Sequence, residues 1–187
     1  MVLGKPLHVY QEIGSTNDEA MKLAISGAVE GTMVIAETQT HGRGRQGGKW
    51  FSPPGAGLWF SVVLRPACAP SQAPLLTQVA AQAIREAVER VTGIGLEIKY
   101  PNDLLWQGKK VCGILTESSV KGERVEFVIV GIGINTNMDE GDFPDTLRSS
   151  AASLRMALGR DVAGSQLLEA VLGSFEAAYE SWRSMVH

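Results

Sequence analysis

The sequence predicts an α/β (α+β) domain in which helices pack against one mixed β-sheet. Residues 58–64 form a run rich in Val, Trp and Phe, bounded by Pro and Gly, which is how a buried strand reads. Residues 71–91 place Leu75, Val79, Ala83, Ala87 and Val91 at four-residue steps, the apolar stripe of a helix lying on a sheet. Helical and strand segments alternate irregularly and not as strict βαβ units, so the sheet is read as mixed.

The elements follow in order. Residues 7–13 read as a strand that Gly14 ends. Thr16 and Glu19 then have capping-box spacing ahead of Ala20, Met21, Leu23 and Ala24, which predicts a helix over 16–25. Residues 33–36 are an apolar strand feeding a polar loop from 38 to 48, whose four glycines and few apolar anchors predict that it orders only around a ligand. The second half reads as three strand segments: 96–100, a hairpin over 104–117 turning near Gln107-Gly108, and 125–134. Helical spacing returns over 149–158 and 165–182, where Leu168, Leu172, Phe175, Tyr179 and Trp182 form one stripe. There is no repeat and no stretch long enough for a linker, so residues 1–187 are read as one domain.

Composition narrows the function. A chain that is 44% hydrophobic and 20% charged can bury a core and is too apolar for disorder. A formal charge of −3 gives no global field for nucleic acid or anionic lipid, so any anion site is local. Cys68 and Cys112 have no CxxC spacing, and His8, His41 and His187 have no ligand-spaced partner, which argues against structural zinc and a metal hydrolase. The N-terminus lacks a signal-peptide pattern and no window reaches about 20 apolar residues, so a cytoplasmic protein without membrane contact is expected.

Residues 42–47 spell GxGxxG after a strand, yet no helix follows and no acidic residue stands about twenty positions on, so the dinucleotide reading fails. What remains is a loop with Arg43, Arg45 and Lys49. Taken alone, it fits a solvated surface loop, a loose nucleic-acid contact or a phosphate cradle of backbone N–H groups and guanidinium forks. A second constellation spans 99–117. Asn102 and Asp103 follow Pro101, where an Asx turn is the plain explanation. Lys110 opens an apolar strand, so its ammonium is drawn toward the sheet end. Gly113 lies mid-strand, and Gly131 and Gly133 repeat the pattern on the next strand, together leaving a slot for a flat, apolar ligand.

These residues resemble the biotin protein ligases, also called biotin–[acetyl-CoA-carboxylase] ligases. The resemblance runs in order through Gly14-Ser15-Thr16-Asn17, Glu37-Thr38-Gln39-Thr40, the Gly42 to Gly47 loop with Trp50, Lys99-Tyr100-Pro101-Asn102-Asp103, Gly108-Lys109-Lys110 with Gly113-Ile114-Leu115, and Gly133-Ile134-Asn135. It implies a catalytic domain related to class II aminoacyl-tRNA synthetases. Such a domain activates biotin with ATP and Mg2+ to biotinyl-5′-AMP and transfers biotin to one lysine of a biotin carboxyl carrier protein domain. Carried over by position, Ser15, Thr16, Asn17, Gln39, Gly42, Arg43, Gly44, Arg45, Lys110 and Gly113 match biotin contacts. Arg43, Arg45, Trp50, Asn102, Lys110 and Asn135 match the ATP and adenylate side, and Lys110, Arg45 and Asp103 match catalytic positions. Asp103 faces metal or the incoming amine, and the resemblance assigns no metal ligands.

The chain departs from the family in three places. Gly48 stands where arginine is frequent, so a phosphate contact is either missing or supplied by Lys49. Tyr100 stands where tryptophan is usual. The chain starts just before its first catalytic strand and stops soon after Trp182, so neither a DNA-binding N-terminal domain nor a small C-terminal β domain is expected, nor DNA as a partner; a homodimer is allowed. Two other readings are carried: a lipoate-protein ligase or octanoyltransferase, and an RNA-binding module using the Arg-Gly loop, which the negative charge and the lack of an RNP-like aromatic strand disfavour.

Overall fold

Seven of the eight residues of strand β3 (Gly57–Leu64) are buried, and its two faces serve different cores. Leu58, Phe60, Val62 and Leu64 face the main core, while Trp59 and Val63 face the other side. The computed structural model describes residues 3–186, so His187 lies outside the described residues. Around β3 run β1 (Leu7–Ile13), β2 (Met33–Gln39), β4 (Glu97–Lys99), β5 (Asp103–Trp106), β6 (Lys109–Lys121) and β7 (Arg124–Asn135). They form one seven-stranded sheet in the order β1-β2-β3-β7-β6-β5-β4. Only β1 and β2 are parallel, and helix α1 (Thr16–Ile25) supplies the crossover their direction requires.

Helices α2 (Leu75–Thr92) and α5 (Gly164–Met185) cover one face and enclose the main core with Phe60, Ile84, Ile134 and Phe175. On the opposite face, Ala20 and Ala24 of α1 pack on Val34, Val63, Phe127 and Ile129. A third cluster, Trp59, Met138, Phe143 and Ala151, lies near the short helices α3 (Asp145–Arg148) and α4 (Leu154–Leu158). The face beside α1 is therefore only partly covered, and the site forms there.

The mixed sheet and its helices match the expectation; several local readings need correction. Ser15, not Thr16, caps α1: its Oγ accepts from the Asp18 N–H, and the Glu19 carboxylate instead accepts from the Tyr10 hydroxyl at 3.1 Å. The buried side of α2 is Leu76, Ala80, Ala81, Ala83, Ile84, Ala87 and Val88; Ala83 and Ala87 of the predicted stripe lie on it, Val79 and Val91 pack at its margin, and Leu75 is exposed. On α5 the predicted Phe175, Tyr179 and Trp182 are buried, but in the first half of the helix Leu167 and Val171 take the core positions and Leu168 and Leu172 pack at the margin. Residues 149–152 are not helical. Lys110 N–H donates to Ser150 O at 2.8 Å and Ala152 N–H to Lys110 O at 2.9 Å, a sheet-like pairing that defers helix α4 until the Ser153 cap. Finally, β2 continues to Gln39, two residues into the predicted loop.

Phe175 is fully buried in the main core. Phe175→Ala should lower unfolding free energy by about 3–5 kcal/mol, because the cavity it leaves is walled by both helices and sheet. Urea denaturation checks this, and a loss under about 1 kcal/mol would show that α5 is not integral to the core.

Candidate active site

The strand register stacks three rows on the α1 side of the sheet. Gly113 and Gly133 lie in the row of Trp59, Leu115 and Gly131 in that of Ser61, and Glu117 and Ile129 in that of Val63. The three glycines remove side chains where a core would otherwise fill. A Cβ at Gly131 would stand 1.9 Å from Asn17 Oδ1, one at Gly133 2.5 Å from Trp50 Nε1, and one at Gly113 2.6 Å from Trp50 Cζ3. The predicted slot thus exists, but Asn17 and the Trp50 indole lie in it. Trp50 Nε1 is shielded from solvent with no hydrogen-bond partner among the described residues, an uncompensated donor that weakens this resting place.

The Gly-rich loop is folded onto the sheet. Trp50 N–H donates to Gly42 O at 2.8 Å and Gly44 N–H to Gly48 O at 2.7 Å, while Arg43 and Lys49 pair as an antiparallel bridge. Gly42 is needed because a Cβ there would sit 2.4 Å from Trp50 O. It closes the loop from behind the cavity wall.

A cavity of about 250 Å³ lies between loop and sheet. The α1 N-terminus and β2 supply Ser15, Thr16, Asn17 and Gln39; the loop supplies Arg43, Gly44, Arg45, Lys49 and Trp50 among others; Asn102, Asp103, Lys110 and Gly113 line it from the far side, with Gly131 and Gly133 on its floor. Gln39 Oε1 accepts from the Thr16 N–H at 2.8 Å and from its hydroxyl at 3.0 Å, and Gln39 Nε2 donates to Ser52 Oγ at 2.9 Å. Arg45 donates to Asn102 Oδ1 at 2.9 Å, Asn102 Nδ2 donates to Asp103 Oδ1 at 3.0 Å, and Lys110 Nζ pairs with Asp103 Oδ2 at 2.8 Å.

A second cavity of about 300 Å³ shares Lys49, Trp50, Asp103 and Lys110 with the first and adds Phe51, Asn135, Phe143 and Leu147. Lys110 and Asp103 therefore stand on the boundary between the two spaces. Asn135 lines only the second, where its Nδ2 donates to Ala152 O at 3.0 Å and Lys110 O at 3.4 Å, so it also fixes the Lys110 backbone. Beneath them Cys112 is fully buried. Burial, then the Asp103 carboxylate, push its thiol well above the usual range against the opposing pull of Lys110, which keeps it a protonated core residue and no nucleophile.

Of the ionic side chains on the first wall, Arg43, Arg45, Lys49 and Lys110 face a single carboxylate, Asp103, so the space favours an anion. Among the described residues, no three His, Cys, Asp or Glu are grouped to hold a metal. The structure brings together every candidate site residue except Gly42, which supports the loop from behind, and Asn135, which serves the neighbouring cavity. Sequence reasoning missed Ser61, Ser52 and Glu117, which touch the wall residues from outside. A hydroxyl amid the apolar run of β3 was the available signal for Ser61.

Residues 10–135 match the family model described as the biotin/lipoate A/B protein ligase family. The bifunctional ligase/repressor BirA of Bacillus subtilis is 42% identical over 181 residues, covering 97% of this chain and 56% of that protein. The biotin–[acetyl-CoA-carboxylase] ligase of Mycobacterium tuberculosis is 32% identical, over 96% of this chain and 66% of that protein. The chain thus spans little more than half the length of its Bacillus relative. Among solved structures, the biotin protein ligase of Aquifex aeolicus in complex with biotin and ATP superposes with a TM-score of 0.80 at 32% identity, covering 95% of this chain and 72% of that one.

The contact of Trp50 with two glycines can be tested without any ligand. Gly133→Ala places a methyl against the indole ring, which must move toward solvent, so Trp50 emission, isolated by subtracting the Trp50→Phe spectrum, should shift to the red. An unshifted emission would mean that the ring does not rest on Gly133.

Proposed function

The chain belongs to the biotin/lipoate A/B protein ligase family, and from that premise we propose that it activates biotin with ATP to biotinyl-5′-AMP and passes the biotinyl group to a lysine of a carrier protein domain. The observation that carries this reading is Lys110 on the boundary of two cavities, one ending in hydroxyl and amide groups, the other combining the apolar Phe51, Phe143 and Leu147 with Lys49, Lys99 and Asn135. A cyclic urea needs both hydrogen-bond donors and acceptors around its head, which Ser15, Thr16 and Gln39 offer; the dithiolane of lipoate or the tail of octanoate would leave those groups unpaired. Biotin is therefore favoured over the acids of other family members. The RNA-binding reading loses its support because Arg43 is already engaged by Asp18 and Glu117.

In the first step a biotin carboxylate oxygen attacks the α-phosphorus of ATP, and the bond to the β-phosphate oxygen breaks, releasing pyrophosphate. Two anions must meet, and Lys110, like Lys49, is a cation shared by their two cavities. Its ammonium stabilises the charge that gathers on the non-bridging oxygens of the α-phosphate as the new bond forms. Arg45 and Lys49 hold the phosphates from the loop, and Lys49 makes up for the glycine at 48. In the second step the carrier amine attacks the acyl carbon, and AMP leaves with its electron pair. Asp103, freed when Lys110 turns to the phosphate, accepts the amine proton.

Magnesium fits this site as a companion of the triphosphate and not as a resident ion. Asp103 is the one carboxylate on either wall, and magnesium commonly binds through one or two carboxylates, waters and substrate phosphates. When bound it would neutralise phosphate charge. No helix among the described residues is long and apolar enough to cross a membrane. The demand for ATP and a carrier protein fits the cytoplasm.

Pyrophosphate–ATP exchange should depend on biotin and not on lipoate or octanoate. Lys110→Ala should slow single-turnover formation of the adenylate by about 10²–10³, the usual loss when one preorganised charge is removed. Equal exchange with lipoate would overturn the choice of acid, and an unchanged rate for Lys110→Ala would remove the lysine from the mechanism.

A further inference from the structure

Glu117 is not on the wall of either main cavity, yet it joins two parts of the site. Its Oε2 accepts from Arg43 of the loop and, at 2.9 Å, from Asn17 Nδ2. The same Arg43 nitrogen reaches Asp18 Oδ1 at 2.9 Å, so two carboxylates hold one guanidinium. Asn17 Nδ2 also donates to Leu115 O at 3.2 Å, which fixes its Oδ1 toward Ser61 at 2.6 Å. Ser61 is fully buried and contacts Thr16 Oγ1 at 2.8 Å, and Thr16 contacts Gln39 Oε1 at 3.0 Å. A continuous polar chain thus runs from Gln39 through Thr16, Ser61, Asn17 and Glu117 to Arg43.

Counting protons shows that this chain is not at rest. Its two ends on the ligand side of Glu117, Gln39 Oε1 and Asn17 Oδ1, only accept, and both orientations are set by N–H contacts made by the same amides or to them. Between them stand three oxygen–oxygen contacts and only two hydroxyl hydrogens, those of Thr16 and Ser61. One contact always has lone pairs facing each other. A ligand group bonding to the Thr16 hydroxyl changes which contact that is, and Ser61 passes the change to Asn17 and so to the oxygen that holds Arg43.

We infer that Glu117 is a positioning residue that ties the Gly-rich loop, through Arg43, to the hydroxyl and amide groups that receive the ligand head, so that occupancy of Thr16 and the hold on Arg43 are coupled. The inference rests on the reading of that head group as biotin's, but the hold on Arg43 exists without it. Its role is to keep the loop placed, not to touch reacting atoms.

Trypsin must take a free arginine side chain into its pocket, so the rate of cleavage after Arg43 relative to Arg45 reports the hold directly. In ligand-free protein Glu117→Gln should raise that ratio about three- to tenfold, the range for losing a charge-assisted contact that is partly exposed, with little change in Tm. Biotin should lower the ratio in the parent, and Ser61→Ala should leave the ligand-free ratio near the parent's while abolishing the effect of biotin. An unchanged ratio in Glu117→Gln overturns the hold on Arg43. A biotin effect that survives in Ser61→Ala overturns the coupling. Biotin that does not bind the parent at all removes the biotin reading and with it the coupling, while the ligand-free ratio still decides the hold.

Discussion

The missing Cβ atoms at Gly113, Gly131 and Gly133 let Asn17 and Trp50 lie directly on β6 and β7, and the rest of the site is placed relative to those two side chains. Asn17 brings the first turn of α1 onto the sheet, which sets Ser15 and Thr16 beside Gln39. Trp50 brings the loop down, and its backbone bond to Gly42 folds Arg43 and Arg45 over the space enclosed. Glycines at three neighbouring register positions cost strand stability, and that cost falls where β3 and β7 bury apolar residues on the opposite face to offset it.

Charge placement follows from the same frame. Lys110 carries its ammonium at the edge of the sheet, where its peptide is held on one side by Ser150 and Ala152 and by Asn135 on its carbonyl. Such a backbone cannot drift, so the ion pair with Asp103 has a fixed position on the boundary of the two cavities. A half-exposed pair of this kind contributes little to folding, since solvent screens it. Its value lies in presenting a held cation, already desolvated in part, where two anionic substrates would otherwise repel each other.

Much of this was legible in the sequence, for definite reasons. Strand β3 is marked by an apolar run bounded by Pro and Gly, β1 by the Gly14 that ends it and α1 by its polar first turn ahead of Ala20, Met21, Leu23 and Ala24, and ordered motifs carried Ser15, Thr16, Gln39, Arg45, Asp103 and Lys110 to one place. Residues 149–152 were misread as helix because their composition permits one; instead Ser149 and Ser150 form the turn that ends α3, and the tertiary pairing with Lys110 draws out the residues after them. On α2 the predicted stripe held Ala83 and Ala87 but centred too far round the helix, because the stripe was built on four-residue steps from Leu75 and passed over Leu76, Ala80, Ile84 and Val88, which the sheet buries. Glu117 and Ser61 were not found, since a carboxylate or a hydroxyl in a strand carries no signal of its partner; the rows that align them under Asn17 exist only once β3, β7 and β6 pair in register.

The central claim is that a carboxylate oxygen of biotin attacks the α-phosphorus at the Lys110 boundary. Biotin labelled with 18O in its carboxylate, supplied with ATP and an amine acceptor, tests it most directly, with mass spectrometry of the nucleotide and phosphate products. The account predicts one labelled oxygen in AMP and none in pyrophosphate. Label in pyrophosphate or inorganic phosphate, with unlabelled AMP, would place the attack at another phosphorus and contradict it.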